Sequence, residues 1–308
     1  MGNKSLVVAA YPRFIDNAPL VVASLLVVDS LHFIFARLLL PYLPPATSVL
    51  YVLAIATVEV AIVVGLRDRI RLDVLRRHLW FFLSVGLLVA ASTSINYTAV
   101  AFIDPGTAAL LGQTSILFGL GFGLFWLRER LQPVEILGAG LALLGIFIIT
   151  FQPGDYFRLG SLLILSSALM YAGHAALVKR YGQGLRLTDF FLFRLLCTTA
   201  FLLLFNLGRG GLMWPPGWAA VLLLLLAGTV DVAVSRGLYY LALRRLKLSL
   251  HTIMLTLSPV VTIGWSLLLF DLTPTPQQLL GGAAVMAGVL LVTLGRVQMR
   301  NKQVKIKN

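Results

Sequence analysis

Ten runs of about 20 mostly apolar residues, separated only by short gaps, constrain this chain more than any other feature. They lie at approximately 17–36, 46–66, 79–99, 105–127, 134–151, 159–178, 188–208, 217–242, 248–270 and 277–297. A run of that length crosses the hydrocarbon core of a bilayer as a helix, which satisfies its backbone groups internally. The gaps carry helix-stopping sequences: Pro41 to Pro45, Asp104-Pro105-Gly106, Gln152-Pro153-Gly154, Pro215-Pro216 and Pro274-Thr275-Pro276. No gap is long enough for a water-soluble domain, so the protein acts in or beside the membrane. Composition agrees. At 59% hydrophobic and 12% charged, the 308 residues carry more apolar surface than a soluble fold hides. The sequence predicts an all-α membrane protein with ten transmembrane helices.

The net charge of +13 suggests nucleic acid until its distribution is read. With the N-terminus in the cytoplasm, 20 of the 25 Lys and Arg fall in cytoplasmic segments. Three (Arg37, Arg158 and Arg209) fall outside, and Arg194 and Arg236 lie within helices. That asymmetry places both termini in the cytoplasm and accounts for the basic charge with no nucleic-acid partner. The tail, 298–308, anchors topology beside anionic lipid. One cysteine, Cys197, excludes a disulfide framework and a multi-cysteine metal site. No cleavable signal is expected, because Asp16 and Asn17 precede the first apolar run. Leu6 fails the myristoylation pattern. The expected location is a bacterial inner membrane.

The chain also matches itself at an offset of 143 residues, the separation of Gly138 from Gly281 and of Gly145 from Gly288. At the same offset Asn96-Tyr97 aligns with Tyr239-Tyr240, Gln132-Pro133 with Thr275-Pro276, and Ser115 with Ser258. Each copy holds five runs, over residues 1–151 and 159–297. Five is odd, so the second copy enters the membrane from the opposite face. Inverted repeats of this kind suit alternating access, in which the halves exchange conformations around a central site.

On these residues the chain resembles the drug/metabolite transporter superfamily, specifically its EamA-type members with two five-helix repeats. The first half carries the resemblance in Asn96-Tyr97-Thr98-Ala99, in Leu127-Arg128-Glu129-Arg130-Leu131 and in Gly138, Gly140 and Gly145. The second half carries it in Gly237 to Leu246, in Leu257-Ser258-Pro259 and in Gly281, Gly282 and Gly288. Two positions depart from the pattern: Ile116 stands opposite Pro259, and Leu272 opposite Glu129. The resemblance implies a central cavity lined mainly by the first, third, fourth, sixth, eighth and ninth spans. It also implies export of amino acids or similar small polar metabolites. Relatives that carry sugar phosphates and nucleotide sugars supply the alternative cargo.

A charge in the hydrocarbon core costs several kcal/mol, so it faces a partner or a wet cavity. The inventory is Asp29, Glu59, Arg194, Asp231 and Arg236, with His32 and His174. Asp29 and His32 stand at i and i+3, on one face of a regular helix. Asp29 is the leading candidate for a substrate amine or a proton, with His32 tuning it or taking the proton itself. A structural pair with an arginine is the alternative. Asp231 and Arg236 are about 140° apart around a helix, so they do not pair with each other. Asp231 faces the cavity or meets Arg194, which has snorkelling as its own alternative. Glu59 is expected to be structural. His174 mirrors the His32 region approximately in the repeat. The polar candidates for the lining are Asn96, Tyr97, Gln113, Ser115, Tyr239, Thr256 and Ser258, with Ser94, Thr114, Tyr240, His251 and Thr252 beside them. Pro259 frees backbone carbonyls, for a hinge or a ligand.

Three function classes compete. A secondary transporter of a small-molecule substrate, with protons as a candidate coupling ion, fits the repeat. There is no Gly-x-x-x-x-Gly-Lys loop for ATP, and no cofactor is expected. An intramembrane enzyme lacks His-Glu-x-x-His and Gly-x-Ser-x-Gly, and its four histidines are scattered. A lipid translocase is also compatible with the repeat, with membrane lipid as cargo or partner.

Overall fold

A computed structural model describes residues 18–67, 70–128, 132–150, 159–210, 212–239, 256–272 and 274–307. Among these the first span is α1 (Ala18–Asp29) and α2 (His32–Leu39); α3 (Pro45–Arg67) is the second. A short α4 (Leu72–Arg77) precedes the third span, α5 (Leu79–Ala99). The fourth is α6 (Pro105–Gly112) with α7 (Ser115–Phe125), and α8 (Pro133–Thr150) is the fifth. The second half repeats the order: α9 (Leu159–Tyr181), α10 (Leu187–Gly208), α11 (Trp218–Leu226), α12 (Ser258–Phe270) and α13 (Pro276–Lys307). A π-helical stretch, Ala227–Val234, continues α11. Seven spans are long and apolar enough to cross a membrane on their own, and α8 and α12 are shorter apolar helices. With the split first span they make the ten runs of the sequence. Large apolar side chains such as Leu66, Phe125, Leu204 and Leu268 point outward, as a lipid-facing surface requires. Glu129, Tyr240, His251 and Thr252 lie outside the described residues.

The repeat is written into the backbone. Two non-glycine residues have positive φ among those described, Arg128 at 55° and Asp271 at 53°. They are repeat equivalents, each closing a helix in the left-handed conformation that ends helices. The helices that follow open alike: Gln132 N donates to Glu135 Oε2 at 2.7 Å, and Thr275 N donates to Gln278 Oε1 at 2.6 Å. The second is a full capping box, since Gln278 N also donates to Thr275 Oγ1 at 3.3 Å. These two helices then cross antiparallel. A Cβ on Gly138 would stand 2.6 Å from Gly288 O, and one on Gly145 2.5 Å from Gly281 O. Under the 143-residue offset each of these contacts maps onto the other. A two-fold axis therefore passes between α8 and α13, perpendicular to the spans, which is the inverted relation.

The spans depart from regular α geometry where they pass the centre. In the first, Ser30 Oγ donates to Val27 O at 2.7 Å and Leu31 N to Val28 O at 3.2 Å, a single 3₁₀ turn. Thr262 Oγ1 from α12 donates to the Ser30 carbonyl at 3.0 Å. The fourth span tightens at Gln113 and Thr114, where Thr114 N donates to Leu111 O at 3.0 Å. Its repeat partner turns at Thr256 and Leu257, with Val260 N donating to Leu257 O at 3.0 Å. Pro259 sits in the first turn of α12, where its missing N–H costs nothing. Because Ile116 stands in the equivalent place, proline is not what tightens both spans. The eighth span loosens instead: Ser235 N reaches back five residues to Val230 O. Thus the first and fourth runs, expected as regular helices, are interrupted near their middles. The last run extends as helix to Lys307 through the region expected as a tail.

Loop ties hold the halves together. Arg71 donates to the buried Asp189 carboxylate, joining the segment after α3 to α10. Tyr51 Oη of α3 donates to Met213 O after α10, at 3.0 Å. Within the first half, Arg37 caps the end of α5 by donating to Val100 O.

Candidate functional site

The tightened turns and the π stretch surround an internal cavity of about 420 Å³. Of the candidate site residues, Asp29, His32, Asn96, Tyr97, Gln113, Ser115, Asp231, Tyr239, Thr256 and Ser258 line it, whereas His174 does not, nor do Ser94 and Thr114. Arg194 and Arg236 line it too, and Arg194 is 7% exposed, so it is buried rather than snorkelled. The six expected spans all contribute. Val49, Val52 and Leu53 of α3 and Arg194 of α10 add two more, which are themselves repeat equivalents. The fifth and tenth spans contribute nothing, because their glycine faces are spent on each other.

Asp29 and His32 both line the cavity across the 3₁₀ turn at Ser30 and Leu31, a turn that keeps i and i+3 on one side, and each has its own partner. Asp29 Oδ2 accepts from Ser258 Oγ of α12 at 3.2 Å. His32 Nδ1 lies 2.9 Å from Asp231 Oδ2 on the π stretch. The imidazole is bracketed edge-on by Phe33, at 5.2 Å between ring centres, and by Tyr97, at 5.7 Å. A histidine thus takes the Asp231 carboxylate that the sequence alone leaves between the cavity and Arg194.

The π stretch is gripped from both sides. Thr229 Oγ1 donates to Glu59 Oε1 of α3 at 2.6 Å, the structural role expected of Glu59. Gly228 lets α3 approach so closely that a Cβ there would stand 2.8 Å from Ile55 Cγ2. Asp231 faces the other way, to His32. On the far wall, α5 and α9 are zipped by Ser92 and Ser167. Their hydroxyl oxygens are 2.9 Å apart, and each donates to the other's carbonyl.

Tyr97 and His174 are among the described residues whose buried polar side-chain atoms make no hydrogen bond. Tyr97 is 1% exposed, and its hydroxyl on the cavity wall makes no hydrogen bond. Burying a hydroxyl unpaired costs roughly 1–3 kcal/mol, a cost that a bound solute removes. His174 lies behind the wall, its ring 5.2 Å from that of Tyr171, which does line the cavity. The sequence reading passed over Ser92, Ser167, Thr93 and Thr262. Serine and threonine are common in apolar helices, and only the repeat offers a signal: Ser92 and Ser167 stand opposite Ser235 and Ser24.

Ten spans, an inverted repeat and a charged internal cavity together define a membrane transport protein built from two halves. The chain belongs to the EamA-like transporter family, whose model matches residues 19–151 and 158–294. It is 27% identical over 206 residues to YdfC, an uncharacterized transporter of Bacillus subtilis (strain 168), covering 65% of this chain and 66% of that one. The matched region is just under two thirds of that relative. A protein of known crystal structure shares the fold, with a TM-score of 0.63 and 21% identity over 91% of this chain and 98% of the other.

Proposed function

We propose that this transporter is a secondary, alternating-access carrier of small zwitterionic metabolites, with amino acids as its cargo. We also propose that it works as an exporter in a bacterial inner membrane. The observation that carries the reading is the presence of opposite fixed charges on one cavity: Asp29 with Arg194 and Arg236. A zwitterion brings an ammonium group for the carboxylate and a carboxylate for a guanidinium. The cavity volume of about 420 Å³ suits such a solute, since ligand sites run from about 300 Å³ upward. Tyr97 offers an unused hydroxyl. The inverted halves supply the exchange of conformations. A sugar phosphate is the second reading, favoured by two guanidinium groups lining one cavity.

The test is flux in proteoliposomes with labelled L-amino acids and, separately, labelled sugar phosphates. Saturable amino-acid exchange that Asp29→Asn lowers about tenfold or more supports the ammonium site, since losing a hydrogen bond to a charged group costs about 1.5–3 kcal/mol. Exchange of sugar phosphates alone, sensitive to Arg194→Gln and indifferent to Asp29→Asn, replaces amino acids with the second reading.

A further inference from the structure

We infer that the His32–Asp231 pair is the proton-coupling site, where a proton on His32 and the cargo's ammonium group compete for the Asp231 carboxylate. This rests on the carrier reading above and adds to it the identity of the coupling group.

The geometry singles out this pair among the membrane carboxylates. Glu59 is engaged by Thr229 away from the cavity wall. Asp29 is held by a hydroxyl, Ser258, which does not titrate in this range. Asp231 alone among them is in contact with an imidazole, the side chain whose protonation changes near neutral pH. The pair also joins two parts of the wall that depart from regular helix: His32 starts α2 just after the 3₁₀ turn, and Asp231 sits inside the π stretch. Charged groups face the imidazole from each side: Asp29 from α1, and Asp231 and Arg236 from the eighth span. Phe33 and Tyr97 close the remaining faces with their rings.

The exchange keeps the Asp231 carboxylate paired, and because the zwitterion is neutral overall, each cycle carries the charge of one proton across. With His32 protonated, the imidazolium and Asp231 form an ion pair that ties α2 to the π stretch. When a zwitterion's ammonium settles between the Asp29 and Asp231 carboxylates, both of which face His32, the proton leaves His32 for the facing solution, and one counter-charge of Asp231 has replaced another. On the opposite face the ammonium departs and a proton returns to the imidazole. Neither cation leaves Asp231 buried without a counter-charge, a state that costs several kcal/mol. One cargo molecule therefore moves against one proton.

The equivalent seam on the other side of the two-fold has no such device. The repeat equivalents of His32 and Asp231 are Ala175 and Leu88. That seam, between α5 and α9, is held by the Ser92–Ser167 contact, which carries no charge.

The experiment compares two measurements on the same proteoliposomes, using labelled L-threonine, L-methionine and L-phenylalanine. Exchange at equal pH reads carrier function alone, and accumulation under a gradient of one pH unit reads coupling. A gradient of one unit supports at most about tenfold accumulation per proton exchanged. His32→Gln and Asp231→Asn are expected to keep a slowed exchange and to lose the gradient-driven accumulation. Accumulation in His32→Gln at the wild-type ratio to exchange overturns the inference. If the wild type exchanges none of the three amino acids, the carrier reading fails for this cargo and a cargo-free measurement decides. Thr93→Cys in a Cys197→Ala background places a thiol on the cavity wall. An impermeant thiol reagent modifies it at one rate at pH 6 and another at pH 8. The ratio of those two rates is expected to change about fivefold when His32→Gln is added to the same background. An unchanged ratio overturns the inference, because the intrinsic titration of the thiol is common to both proteins.

Discussion

Tyr97 is where a single atom says most about cargo. Its hydroxyl is buried on the cavity wall with nothing to bond. Tyr97→Phe removes that atom and little else. The expected result is a raised thermal midpoint in detergent without cargo, since an unpaired buried hydroxyl is removed, and a KM for the proposed amino-acid cargo raised about fivefold, the worth of one neutral hydrogen bond. An unchanged KM means that the solute does not reach this hydroxyl. The candidate residues were legible because polar and charged side chains are expensive in apolar runs, so few places can hold them. Their pairing was not. The two residues of the His32–Asp231 contact are 199 positions apart, a separation that no local sequence pattern bridges.

Among the elements, α8 and α13 offer the sharpest stability test. A side chain at Gly138 or Gly288 runs into main chain, 2.6 Å and 2.4 Å from carbonyl oxygens that cannot step aside. Gly138→Val is expected to cost roughly 1–3 kcal/mol and to lower the unfolding midpoint in detergent. Gly140→Ala, with nothing within 4 Å of its Cβ, is expected to leave the midpoint unchanged. The Ser92–Ser167 zipper calls for a double-mutant cycle to alanine, with an expected coupling of about 0.6 kcal/mol, typical of a hydrogen bond between membrane helices. The glycine spacing was visible in sequence as two copies of one pattern. The 3₁₀ turns and the π stretch were not, because local propensity separates them poorly from ordinary helix. Gln113 and Thr114 carry no helix breaker, and they still tighten in register with Thr256 and Leu257.

For the molecule as a whole, orientation is the property to test. Arg128 and Asp271 are repeat equivalents, and the inverted relation puts them on opposite sides of the membrane. Cysteines placed there singly in a Cys197→Ala background are expected to react with an impermeant reagent from opposite faces, position 128 from the cytoplasm and 271 from outside. Labelling from the same face is incompatible with the two-fold. The span count and the repeat were legible because apolar length and a fixed offset survive divergence. The closure of the cavity by the second and seventh spans was not, since Val49, Val52 and Leu53 look like any lipid-facing residues.

The reciprocal contacts of Gly138 with Gly288 and of Gly145 with Gly281 have the form of an isologous interface, the kind two identical subunits make. A half-length chain with one copy of this face has the geometry to dimerise with itself in opposed orientations. Such a dimer is indifferent to direction, because its symmetry makes the two facing states mirror descriptions of one energy. Fusion into one polypeptide lifts that degeneracy. The chain carries His32 and Asp231 on one seam and Ala175 and Leu88 on the other, a difference no homodimer can sustain. In a carrier working by the proposed alternating access, any energy difference between the two facing states is therefore a product of divergence between the halves. Restoring the symmetry, with Leu88→Asp and Ala175→His, would bring the two facing states back toward equal population.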